Sequence, residues 1–120
     1  MTRVLIVDDN PALRREIRRQ LESAGLEVCG EASDGIEGLE KAREVRPDLV
    51  ILDVAMPRLN GIDAARELRK VQPRLPVILH TLHADIIRSQ GLPEGVAEVV
   101  AKGEPLIPCV LKLLGAPQQP

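Results

Sequence analysis

Phenylalanine, tyrosine and tryptophan are all absent from this 120-residue chain. Without rings there is no stacking platform for a single-stranded nucleic acid, and any core has to be built from Leu, Ile, Val and Ala. An excess of one charge is missing too. The 16 Lys and Arg face 18 Asp and Glu, for a formal net charge of −2, which gives no electrostatic reason to expect direct nucleic-acid binding by this segment. The two cysteines, Cys29 and Cys109, lie far apart with no paired motif. They read as small buried thiols, and no disulfide is expected in a reducing compartment. No apolar run approaches the roughly 20 residues that span a bilayer. The first run meets Asp8 after four residues, too soon for a signal peptide. The expectation is a cytoplasmic protein of one domain, since this length builds one real core and not two.

Short apolar runs alternate with helical patterns, which predicts an α/β domain with a mostly parallel sheet. Val4 to Asp8 reads as the first strand. Asn10-Pro11 follows as an N-cap with proline at the first helical position. Leu13, Ile17, Leu21 and Ala24 give that helix one buried stripe, and Gly25 ends it. Leu26 to Glu31 reads as the second strand, Asp34 and Glu37 as a capping pair, and Pro47 as the stop near Val45. The third strand ends at Asp53, and Asn60 with Asp63 opens the third helix. Val77 to Thr81 and Val96 to Ala101 complete five strands. Gly91 and Pro93 predict a short or irregular fourth helix, and Pro108 fits best near the start of the last one. Residues 1–114 form the expected domain, with 115–120 as a tail or linker.

The chemistry gathers at strand ends, where open parallel sheets bind ligands. Asp8, Asp9, Asp53, Thr81 and Lys102 all stand at or just past such ends. Three carboxylates at one sheet edge repel unless a proton or a divalent cation joins them. Acids suit Mg²⁺, a hard cation that prefers oxygen. A carboxylate can attack phosphorus to give an acyl phosphate, while metal, ammonium and hydroxyl neutralise the transferring group. Taken singly, each residue has a commoner explanation as turn, cap, strand or loop chemistry. Their coincidence favours phosphoryl transfer.

The chain resembles the receiver domain of bacterial two-component response regulators. The likeness runs from Val4 to about Leu114. It rests on Val-Leu-Ile-Val-Asp8-Asp9, on Asp53-Val-Ala-Met56-Pro57-Arg-Leu-Asn-Gly61, on Pro-Val-Ile-Leu-His-Thr81 and on Val-Ala-Lys102. The stretch Thr81-Leu-His-Ala-Asp85 is most similar to receivers that precede a LuxR-type helix-turn-helix domain, which makes transcription regulation one expected output. The resemblance implies a flavodoxin-like receiver fold, with a five-stranded parallel sheet in the order 2-1-3-4-5 and helices on both faces. It implies Asp53 as phosphoacceptor from a phosphohistidine of a sensor histidine kinase or phosphotransfer protein. It further implies Mg²⁺ held by Asp9, by Asp8 partly through water, by Asp53 and by the backbone carbonyl of Ala55. Thr81 and Lys102 would contact phosphoryl oxygens, and Met56-Pro57 and Gly61 would shape the adjoining loop.

Three departures from that pattern are readable. Val99 occupies the switch position where receivers usually carry Tyr or Phe, and its short branched side chain cannot swing as a ring does. Gly103, not proline, follows Lys102, so no cis bond is expected there. The interval from Thr81 to Lys102 is one residue shorter than usual. All three fall on the output face of fourth helix, fifth strand and fifth helix. Phosphoryl chemistry is therefore expected to persist while output is altered. The apolar last helix suggests that a partner, a second copy or an effector domain covers this face.

Other readings are weaker. A degenerate receiver, acting as a phosphorylation-independent binding or dimerisation module, would not need all five site residues. An aspartyl-nucleophile phosphatase commonly needs an acid where Ala55 stands, so an enzyme with its own substrate is not expected. A flavodoxin-type cofactor binder would need a phosphate-cradling loop and stacking rings. Arg14, Arg15, Arg18 and Arg19 read as a solvated face of the first helix, on what the resemblance makes the kinase-docking side. His80 and His83 lack a partner at zinc-ligand spacing, and Met56 reads as packing.

Overall fold

A computed structural model of the chain describes residues 2–115. Five strands alternate with five helices: β1 (Arg3–Val7), α1 (Pro11–Ser23), β2 (Glu27–Ala32), α2 (Gly35–Val45), β3 (Leu49–Asp53), α3 (Gly61–Val71), β4 (Val77–Thr81), α4 (Ala84–Gln90), β5 (Glu98–Ala101) and α5 (Ile107–Leu113). All pairings are parallel, in the order β2-β1-β3-β4-β5. This is the expected fold. The strand that begins first lies second from one edge, so the chain must cross over, and both faces become covered.

Strand alternation divides the core in two. Val4, Ile6, Leu49, Ile51, Ile78 and Val100 face α1 and α5, where Ile17, Leu21, Leu106 and Val110 complete the packing. Leu5, Val7, Val50, Leu52, Leu79 and Val99 face α2, α3 and α4. The helix ends follow the sequence closely. Asn10 Oδ1 accepts from the amides of Ala12 and Leu13, Asp34 caps α2 and Asn60 caps α3. Gly25 takes the left-handed conformation that ends α1, with φ +81°. α4 spans only seven residues and has no side-chain cap bond.

Four expectations need adjusting. β2 and β5 each begin later than the apolar pattern suggests, since Leu26 and Val96 pack into the core from the preceding loops. Cys29 and Cys109 are free but only half-buried. Arg14 and Arg18 are not simply solvated: both bond the Glu31 carboxylate on β2, at 3.0 and 2.8 Å. Finally, α5 turns its apolar side chains inward or half-inward. The large apolar residues that are exposed near the output face are Leu82, Ile86 and Leu92, at and around α4. No peptide bond among the described residues is cis, as expected for Lys102-Gly103. Among the described residues no helix is long and apolar enough to cross a membrane. Of the expected tail, residues 116–120 lie outside the described residues.

Candidate phosphoryl-acceptor site

The same alternation that sorts the core also aims the site. Asp8 continues the Val4-Ile6 row of β1, and Asp53 continues the Leu49-Ile51 row of β3. Lys102 continues from Val100 just beyond β5. All three therefore leave the sheet edge on the side of α1 and α5, across neighbouring strands. Carboxylate oxygens of Asp8, Asp9 and Asp53 lie within 4.8 Å of one another. Lys102 Nζ stands 3.1 Å from Asp53 Oδ1 and 3.6 Å from Asp8 Oδ2. Asp8 and Asp53 are buried and Asp9 is exposed.

Local bonds fix these groups. Asp8 Oδ1 accepts from the Asn10 amide at 2.9 Å, and the Asp8 amide donates to the Ala32 carbonyl at 3.0 Å. Arg14 Nη1 donates to the Asp8 carbonyl. The Lys102 amide donates to the Thr81 carbonyl at 2.9 Å, which ties the lysine to the end of β4. Thr81 is buried, and its Oγ1 accepts from the His83 amide at 3.0 Å. Gly61 packs so tightly that a Cβ there would collide with the Asp53 carbonyl oxygen. Its amide also donates to the Val54 carbonyl at 2.9 Å. Arg58, in the same loop with φ +67°, makes two 3.0 Å bonds to the Asp34 carboxylate. Ala55 lies exposed in this loop, and Met56 packs against the core as expected.

Burial, and then repulsion from Asp8, push the Asp53 carboxyl above its ordinary range, and Lys102 only partly opposes this. An acid in that position gains from added positive charge. The donor set, three hard carboxylates around one point beside an ammonium, fits a divalent cation such as Mg²⁺. Among the described residues no histidine or cysteine joins a metal-competent group.

The family model for the response regulator receiver domain matches residues 4–107. The chain belongs to this family. The receiver is 46% identical over 77 residues to the chemotaxis protein CheY of Thermotoga maritima, which covers 64% of each protein. It matches the response regulator TrrA of Thermotoga maritima, solved in complex with Mg(2+)-BeF, with a TM-score of 0.85. That match has 34% identity and covers 94% of this chain and 99% of TrrA. A LuxR-family two-component response regulator from Aurantimonas sp. superimposes with a TM-score of 0.88, at 29% identity over 96% of this chain and 86% of that one. The chain spans less than two thirds of CheY and only 49% and 21% of two other curated relatives.

The five residues singled out from the sequence are thus brought to one end of the sheet. Four further residues around the site, His80, Glu31, Arg88 and Glu104, were not singled out for it. His80, the register neighbour of Asp53 on β4, is 5% exposed with an Nδ1 that has no partner. Burial and Lys102 lower its pKa, while Asp8 works the other way. Glu31 draws Arg14 and Arg18 onto β2. Arg88 and Glu104 bridge α4 to the loop that carries Lys102. Only Glu104 carried a hint, as an acid three residues after Ala101, at turn spacing.

Proposed function

We propose that this receiver accepts a phosphoryl group on Asp53 from a phosphohistidine of a sensor histidine kinase or phosphotransfer protein, and passes the signal to a partner or effector domain. The observation that carries the proposal is the clustering of Asp8, Asp9 and Asp53 within 4.8 Å, with Lys102 Nζ 3.1 Å from the acceptor.

The chemistry follows from these groups. A carboxylate oxygen of Asp53 attacks phosphorus, and the phosphorus–nitrogen bond to the donor's imidazole breaks. The imidazole leaves with the electron pair and is protonated from solvent. Lys102 would pair with the phosphoryl oxygens, and Thr81, whose Oγ1 accepts from the His83 amide, keeps its hydroxyl proton to donate to them. Asp8, Asp9, Asp53 and the Ala55 carbonyl would hold Mg²⁺. When bound, that ion supplies positive charge for the phosphoryl oxygens. TrrA, a relative solved with Mg(2+)-BeF, supports this assignment. The receiver acts on its own aspartate and on no separate substrate. Its output face comprises α4, β5 and α5, with Val99 at the switch position. There it would meet a second copy or an effector domain.

A phosphorylation-independent binding module is the second reading, favoured by the buried Val99 where a mobile ring would be expected. Incubation with acetyl phosphate and Mg²⁺, followed by intact mass, separates the two. The expected result is a gain of one phosphoryl group that is lost in Asp53→Asn. An unchanged mass in the unaltered chain would favour the module.

A further inference from the structure

We propose that Glu104, held by Arg88, is the positioning residue for Lys102, and that this pair couples α4 to the phosphoryl pocket. The inference rests on Asp53 and Lys102 acting as described under the proposed function.

Lys102 sits in a turn from Ala101 to Glu104 whose other central residue is Gly103, at φ +102°. A glycine there leaves the turn free to adopt other conformations, unlike a proline, so something else must hold it. Glu104 does this at two points. Its amide donates to the Ala101 carbonyl at 2.9 Å, and its Oε1 accepts from the Ala101 amide at 2.9 Å. Residue 104 thus grips both backbone polar groups of residue 101 and closes the turn around the lysine.

Arg88 fastens this arrangement from α4. Its Nη2 donates to Glu104 Oε1 at 2.8 Å and to the Val99 carbonyl at 2.8 Å, while Nη1 lies 3.4 Å from Glu104 Oε2. One guanidinium therefore joins the strand before the turn and the side chain that closes it. A lysine, with a point charge on a flexible stem, cannot reproduce this planar fork.

The side chains of Arg88 and Glu104 are 40% and 46% exposed, so as an ion pair they add little to stability. What the pair contributes is placement. An ammonium displaced by an ångström loses much of its value to a reacting anion. The other end of the linkage is poised to move, because α4 is short and lacks a side-chain cap. Leu82 and Ile86, 76% and 58% exposed, make the α4 region the apolar part of this face. A partner resting on α4 would shift Arg88, and through Glu104 the turn that carries Lys102. By linkage, phosphorylation then alters affinity at α4 by the same factor. Val99 contributes a carbonyl here instead of a moving ring.

The test compares Arg88→Met, Glu104→Ala, the double variant and Glu104→Gln, which keeps an oxygen able to accept from Ala101 and Arg88. Two quantities are measured: the rate of Asp53 phosphorylation by acetyl phosphate with Mg²⁺, and hydrogen exchange at the Ala101 and Lys102 amides. Each of the first two variants should slow phosphorylation roughly five- to tenfold and speed exchange at both amides, with little change in Tm. The double variant should be no slower than Glu104→Ala, and Glu104→Gln should recover most of the rate. Wild-type rates, or unchanged exchange, in Glu104→Ala and Arg88→Met would overturn the proposal. If the unaltered chain takes no phosphoryl group, the function reading fails. Exchange then decides alone whether the pair holds the turn.

Discussion

Replacing Asp53 with asparagine should make the metal-free protein more stable at neutral pH. The Asp8 and Asp53 side chains are only 3% and 5% exposed, and their oxygens lie within 4.8 Å of each other and of Asp9. At an effective dielectric constant of about 20, repulsion at that separation is about 3.5 kcal/mol, and attraction to Lys102 at 3.1 Å is about 5 kcal/mol. Burial and the Asp8 charge together outweigh the lysine, in keeping with the raised Asp53 carboxyl. Ionised Asp53 therefore costs the fold stability, and single substitutions that relieve such a cost commonly return about 0.5–2 kcal/mol. At about 4 °C per kcal/mol for a chain of this size, the variant should melt roughly 2–8 °C higher.

The pH dependence has a definite sign. A carboxyl raised on folding makes the native state bind more protons than the unfolded state between the ordinary value of 3.8 and the native value. The cost of Asp53 is absent below that window and complete above it. Thermal unfolding of both proteins in EDTA from pH 4 to pH 8 should show a gap that widens as pH rises. Added Mg²⁺ should narrow it, because the unaltered acid cluster binds the ion more tightly. A variant less stable than the parent at pH 7.5 in EDTA, or a gap independent of pH, would refute the reasoning.

Two further substitutions probe the support around the site. Gly61→Ala forces a Cβ against the Asp53 carbonyl oxygen, with Val54 Cα only 2.9 Å away, so neither neighbour can yield cheaply. It should cost about 3 kcal/mol or more in denaturant unfolding, and a Tm within 2 °C of the parent, taking about 4 °C per kcal/mol, would contradict the close approach. Glu31→Gln leaves Arg14 and Arg18 with a neutral partner on β2. Burial would raise the Glu31 carboxyl, but the bonds from Arg18 and Arg14 win and hold it below its ordinary 4.5. Its stabilisation is therefore present above that value and lost as pH falls through the lower native one. The loss in the variant should be about 1–2 kcal/mol at pH 7 and should fade in acid, as urea unfolding at the two pH values would record.

Much of the molecule was written locally. The Val4–Val7 and Leu49–Leu52 runs read as buried strands, and Asn10, Asp34 and Asn60 announced helix starts through bonds that span two or three residues. Because strand side chains alternate, the position of Asp8 and Asp53 in their runs already set which face each carboxylate would take. The spacing around Asp8, Asp9, Asp53, Thr81 and Lys102 named the family, and with it the strand order.

Distances across the sheet edge belonged to the tertiary structure alone. The 3.1 Å approach of Lys102 to Asp53 depends on β4 lying between their strands and on the turn at Gly103. Glu31 meets Arg14 and Arg18 only because β2 packs beside α1. Arg88 finds Glu104 sixteen residues away only because α4 folds back over β5. Local rules see a few neighbouring residues. These contacts are decided by how whole elements come to rest on one another, which is why the acids could be named from the sequence while the group that holds their lysine could not.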